Sequence, residues 1–157
     1  NYLMIIRKTL ILLFFLFTTS QCGYTPIYSD LGNNINLKII SSEGDQTLNN
    51  RINLLLKKYD DSDVSNNQKF MIEFSTSYKK SEISKNTAGS ATNYSLTAIA
   101  DFKITYNGQS KEINIQEKFI MKKIEDIFER NNYEKKIKHN FATNISQKLI
   151  SQLVTIK

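Results

Sequence analysis

Tyr94, Leu96, Ala98, Ala100, Phe102, Ile104 and Tyr106 fall at every second position, with Ser95, Thr97, Asp101, Lys103 and Thr105 between them. Extended backbone turns successive side chains to opposite faces, so this alternation predicts a strand with one buried side. At ~3.3 Å per residue it runs roughly 40 Å, long for a small domain. Asn107-Gly108 follows as a hairpin signal, and Ile113, Ile115 and Phe119 return as a further strand. Upstream, Phe70, Ile72, Phe74 and Tyr78 share one face against Glu73, Ser75, Ser77 and Lys79. Ile35, Leu37 and Ile39 alternate with Asn36 and Lys38 in a first short strand.

Two segments carry the helical period instead. Leu48, Ile52, Leu55, Leu56 and Tyr59 predict a helix from Thr47, its expected N-cap, to Tyr59. Ile137, Phe141, Ile145, Leu149 and Leu153, widened by Ala142 and Ile150, predict a second from Tyr133 onward. Between these elements, Ser41 to Gln46 reads as a loop and Asp60 to Asn67 as a polar connection. Ile83 to Ala91 reads as a turn or mobile tip. Residues 122–132 fit either a helical turn, through Ile124, Ile127 and Phe128, or a loop. The order is β-α-β-β-β-α. It predicts an α+β fold: a four-stranded, mostly antiparallel sheet with both amphipathic helices on one face, the other being too polar for a second core.

The N-terminus has a different pattern. Arg7 and Lys8 precede the apolar run Leu10 to Phe17, and Thr18, Thr19 and Ser20 lead to Cys22. A cationic region, an apolar region and a small-residue cleavage region in that order form a secretory signal. The run is well short of the ~20 residues of a spanning helix. Cys22 is the single cysteine, so no internal disulfide can form, and its position just after the apolar run is where bacterial lipoproteins are cut and acylated. Thr19 and Gln21 depart from the usual Leu and small residue at those places. The expected organisation is a signal peptide over 1–21, a lipidated linker over 22–34 and one α+β domain over 35–157, with Met4 a candidate initiator. A retained N-terminal anchor helix is the alternative.

The formal charge is +6, of which Arg7 and Lys8 supply two, leaving +4 for the rest. The chain is also rich in Lys, Asn and Ile together, as an AT-rich genome would dictate, so local placement must carry any ligand argument. Lys79, Lys80 and Lys85 bracket the tip after the second strand, and Lys122, Lys123 and Arg130 lie before the last helix. Either group could hold phosphate through charge-assisted hydrogen bonds, and either could be a solvated surface. Export disfavours nucleic acid as the partner. His139, the single histidine, reads as a helix surface residue, and Glu125, Asp126 and Glu129 as solvating carboxylates. No metal-ligand spacing, nucleophile pairing or Gly-rich phosphate loop is found, so no catalytic residue, metal or cofactor is expected apart from lipid on Cys22.

Cys22-Gly23-Tyr24-Thr25-Pro26-Ile27-Tyr28 resembles the mature start of lipopolysaccharide-assembly lipoproteins of the LptE family, whose alphaproteobacterial members often read CGF-x-P-L-Y-G. Asn93 to Ala100 looks like that family's long central strand, and Gln147 to Leu153 like its C-terminal helix. The resemblance spans most of residues 22–154 in element order. It implies a lipoprotein of the cell outer membrane that partners the LptD barrel as plug and assembly factor and binds lipopolysaccharide in transit. Lys85 and Arg130 match the places of two basic residues in the family, and become candidate contacts for lipid A phosphates. Other readings are a pilot or structural lipoprotein escorting a different envelope partner, and an inner-membrane-anchored periplasmic module.

Overall fold

A computed structural model of the chain describes residues 35–60 and 69–156. The expected signal peptide over 1–21, Cys22, the expected linker over 22–34 and nearly all of the 60–67 connection lie outside the described residues. The elements are β1 (Leu37–Gly44), α1 (Gln46–Leu56) with a 3-10 turn at Lys57–Tyr59, β2 (Phe70–Lys85), β3 (Ala91–Tyr106), β4 (Gln109–Lys122) and α2 (Ile127–Ile156). They form one sheet in the order β1-β2-β3-β4. β1 runs parallel to β2 and the other neighbours pair antiparallel, giving the expected α+β architecture and order.

One face of the sheet is the core. Ile72, Phe74, Leu96, Ala98, Ala100, Phe102, Ile104, Ile113 and Ile115 are buried on it, against Leu48, Ile52 and Leu56 of α1 and Phe141, Ile145, Leu149 and Leu153 of α2. Full burial of a Leu, Ile or Phe side chain is worth about 1.5–3 kcal/mol, so this layer supplies the main drive to fold. Phe74 and Phe102 stand opposite each other with ring centroids 5.3 Å apart. The opposite face carries Glu73, Ser75, Asp101, Lys103, Glu112 and Asn114 at matched positions and faces solvent.

Several boundaries differ from the sequence reading, each for a local reason. β1 extends to Gly44 through what reads as loop, because its backbone keeps pairing with β2 as far as Thr76. Asp45, not Thr47, caps α1: its side chain accepts from the Leu48 N–H at 3.0 Å. Gly44 makes the junction between strand and helix. Its φ is +103°, and a Cβ there would lie 1.8 Å from the Thr76 carbonyl oxygen. α2 starts at Ile127, six residues ahead of the Tyr133 start that the sequence predicts, where Asp126 accepts from the Glu129 N–H at 2.7 Å. The β3–β4 hairpin turns at Asn107 and Gly108, with φ of 50° and 77°, as a tight turn of that sequence requires.

Candidate functional site

β2 and β3 each run 16 residues, ~50 Å at strand rise, and at their far ends Glu82 to Ser90 are exposed apart from half-buried Ser84. Pairing continues to Lys85 opposite Ala91, so only Asn86–Ser90 is left as the turn. Asn86 closes it by accepting from the N–H groups of Ala88 (3.1 Å) and Ser90 (2.9 Å). β4 ends beside this hairpin: Lys122 pairs with Asn93, and the Lys123 N–H donates to the Thr92 carbonyl at 2.9 Å. Polar side chains fasten the ends together. The Asn93 amide donates to the Ser84 hydroxyl at 2.7 Å, which lies 2.6 Å from that of Thr92.

The two basic neighbourhoods, far apart in sequence, thus meet at one end of the sheet. Between them lies an open hollow of ≈ 420 Å³ lined by Asn86, Ala91, Thr92, Asn93, Lys122, Lys123 and Glu125. Lys122 is exposed and pairs with no carboxylate among the described residues. Lys123 is held by Glu125 at 3.0 Å. Lys85 stands at the rim, 59% exposed and 3.3 Å from Glu82. Arg130 sits one turn into α2 and reaches the Ile124 carbonyl at 3.4 Å, tying the helix start to the segment that borders the hollow. Neither Lys85 nor Arg130 lines the hollow itself; they flank it. Sequence reasoning grouped Lys122 with Arg130 but could not single it out, because its prominence depends on the Asn93 pairing.

Lys80 is the exception among the tip cations. It falls on the same strand parity as Tyr78, so it turns to the helix side and meets Glu134 of α2 at 2.7 Å. Tyr78 donates to the other oxygen of Glu134 at 2.7 Å, and Lys138 sits 3.9 Å from the Tyr78 ring centroid while bonding Asp45 at 2.6 Å. This network ties α2 to β2 and to the cap of α1. It is structural: every charged head in it has a partner.

Burial works to raise the Asp45 carboxyl, but the Lys138 hydrogen bond, the Leu48 N–H and the Lys138 charge together hold it below its ordinary value. Glu134 is likewise lowered, burial being outweighed by the bonds from Lys80 and Tyr78. Burial and Glu134 push the Tyr78 hydroxyl up, so it stays a donor. Carboxyls depressed in the folded state stabilise it above their unfolded values, and that contribution is lost as pH falls through the folded ones. Thermal stability should therefore drop from about pH 5 to about pH 3, and Glu134→Gln should flatten the drop while lowering stability by about 1 kcal/mol at neutral pH. Melting curves across that range check it; an unchanged acid slope would count against the assignment.

Exposed apolar side chains gather at the same end. Ile83 is 49% exposed beside Ser84, and Ile127 and Phe128, at 64% and 75%, open α2 just after the 123–126 segment. No cluster of metal-ligating side chains occurs among the described residues. His139 lies half-buried in α2, on the helix surface where the sequence places it. Asp126 is the helix cap described above, and Glu129 is exposed in the first turn.

No family model and no curated protein matches the sequence. The fold does have solved counterparts. Rare lipoprotein B from Shewanella oneidensis superposes with a TM-score of 0.57 at 16% identity, over 76% of this chain and 98% of that one. A proposed lipoprotein from Caulobacter crescentus gives 0.52 at 12% identity, over 82% and 92%. A minor lipoprotein from Acinetobacter baumannii gives 0.51 at 12%, over 73% and 94%. The chain shares the fold of these lipoproteins across nearly their whole length. At such identities the likeness is one of fold, and it does not single out the alphaproteobacterial type to which the N-terminal residues point.

Proposed function

We propose that the protein is an LptE-like lipoprotein of the outer membrane, anchored through lipid on Cys22, which binds lipopolysaccharide at the Lys122 end and partners an LptD-type barrel. The observation that carries the ligand half is the convergence of Lys85, Lys122, Lys123 and Arg130 around one hollow, with Ile83, Ile127 and Phe128 exposed beside it. A phosphorylated, acylated saccharide presents anionic groups next to hydrocarbon. Ammonium and guanidinium groups meet the first by charge-assisted hydrogen bonds, and exposed Ile and Phe meet the second by burial.

The anchoring half rests on Cys22 following the Leu10–Phe17 run, and on the lipoprotein counterparts of the fold. Two or more acyl chains on one residue suffice for stable membrane attachment, at ~0.8 kcal/mol per buried methylene. The polar open sheet face suits the barrel partnership, since a lumen lined by polar side chains accepts a polar body. No catalytic role is proposed, and nothing in the reading requires a cofactor.

One preparation tests anchor and partner together. The protein is isolated from detergent-solubilised outer membranes, its N-terminus is weighed by mass spectrometry, and co-isolated barrels are identified. The expected result is a chain beginning at an acylated Cys22 together with an LptD-type barrel. An unprocessed N-terminus would favour an inner-membrane-anchored module instead. A different barrel would make it an escort of another envelope partner.

A further inference from the structure

The open face of the sheet is divided along its length. Strand pairing sets its residues in rows across the sheet, and every second row points to this side. The rows Ser41-Glu73-Lys103-Glu112 and Glu43-Ser75-Asp101-Asn114 hold four carboxylates against one lysine. Ser77-Ile99-Gln116 follows and is neutral. Beyond it, towards the β2–β3 turn, come Lys79-Thr97-Lys118, then Ser81-Ser95-Ile120, then Asn93-Lys122. These last rows hold three lysines and no carboxylate.

Lys79, Lys118 and Lys122 are exposed and make no ion pair among the described residues. Like charges gathered on one surface repel, and a bound anion relieves that repulsion. Lys79 and Lys118 lie two strands apart, ~10 Å, with Thr97 between them. Their long side chains can converge on one oxyanion above Thr97, whose hydroxyl adds a third donor.

Lys122, which lines the hollow described above, is four residues along β4 from Lys118, ~13 Å at strand rise. The row between them sets the hydroxyl of half-buried Ser81 on one side and Ile120, 59% exposed, on the other. A sugar ring suits that pair, its hydroxyls meeting serine and its C–H face meeting isoleucine. Resting on the lipopolysaccharide reading above, we infer that Lys79, Thr97 and Lys118 form a second phosphate seat. The protein then grips a saccharide carrying two phosphates about 13 Å apart, one at this seat and one in the Lys122 hollow. The carboxylate rows repel such a ligand and leave their half of the face to the barrel lumen.

Isothermal titration of the full chain in detergent, with bisphosphorylated lipid A and with its monophosphorylated form, tests this. The parent should bind the first at least about tenfold tighter than the second. Lys79→Gln combined with Lys118→Gln should shrink that preference to within about threefold, while affinity for the monophosphorylated form stays within about threefold of the parent's. Lys57→Gln combined with Lys111→Gln removes the same charge elsewhere and should keep the full preference. Melting curves on each variant separate a lost seat from a lost fold. A Lys79/Lys118 double variant that keeps the tenfold preference would overturn the second seat. So would an equal loss in the Lys57/Lys111 control, or a parent that binds both forms alike. A parent that binds neither form would overturn the reading on which the seat rests, and the seat with it.

Discussion

Gly44→Ala should lower the stability of the domain by about 3 kcal/mol or more, a large effect for one methyl group. At +103° the Gly44 φ is one that side-chain-bearing residues rarely adopt, and the added Cβ would meet the Thr76 carbonyl at 1.8 Å. Relief requires moving β1 off β2 at the one point where three contacts depend on their approach. The Asp45 N–H donates to that same carbonyl at 3.2 Å, Thr76 donates to the buried Asn49 at 2.7 Å, and Asp45 caps α1. Thermal melts should show a loss of about 10 °C or more for a domain of this size. Gly89→Ala is the control. It has a φ of +78° but open space around it, so it should cost only about 1 kcal/mol. Equal costs at the two glycines would show that the close approach to Thr76 does not matter.

Lys85→Glu combined with Arg130→Glu should weaken lipopolysaccharide binding at least about tenfold at matched salt, and adding Lys122→Glu should weaken it about tenfold again. All three cations border one hollow, and none carries the core: Lys85 and Lys122 are exposed, and Arg130 bonds only a loop carbonyl. The fold should therefore survive, as circular dichroism can confirm. Lys111→Glu, at the opposite end of β4, removes the same charge from the protein and should change binding little. A loss as large from Lys111 as from Lys122 would mean that net charge, not this end, holds the ligand. Isothermal titration at two ionic strengths separates the two cases.

The sheet and its buried face were legible in the sequence because period-two alternation survives in every strand with a covered side. Tyr94 to Tyr106 is the clearest case, and the Asn107-Gly108 turn fixed the hairpin after it. What escaped was set by partners distant in sequence. The far end of β2, through Lys85, has no apolar face to reveal it and is a strand only because β3 pairs with it. The first turn of α2 is exposed, so Ile127 and Phe128 carry no helical stripe, and Asp126 starts the helix by capping it. The site was legible in part. The two clusters of cations were visible, but their meeting depends on Lys122 lying beside Asn93, and the diversion of Lys80 to Glu134 on a helix that begins far along the chain.

The most direct test compares intact lipopolysaccharide with the same material stripped of its phosphates, titrated against the full chain at fixed ionic strength. Tight binding of the first and a loss of at least about tenfold for the second is the predicted result, with the loss much smaller once Lys85, Lys122 and Arg130 are all reversed. Equal affinity for both forms would contradict it, since nothing anionic would then be recognised at this end.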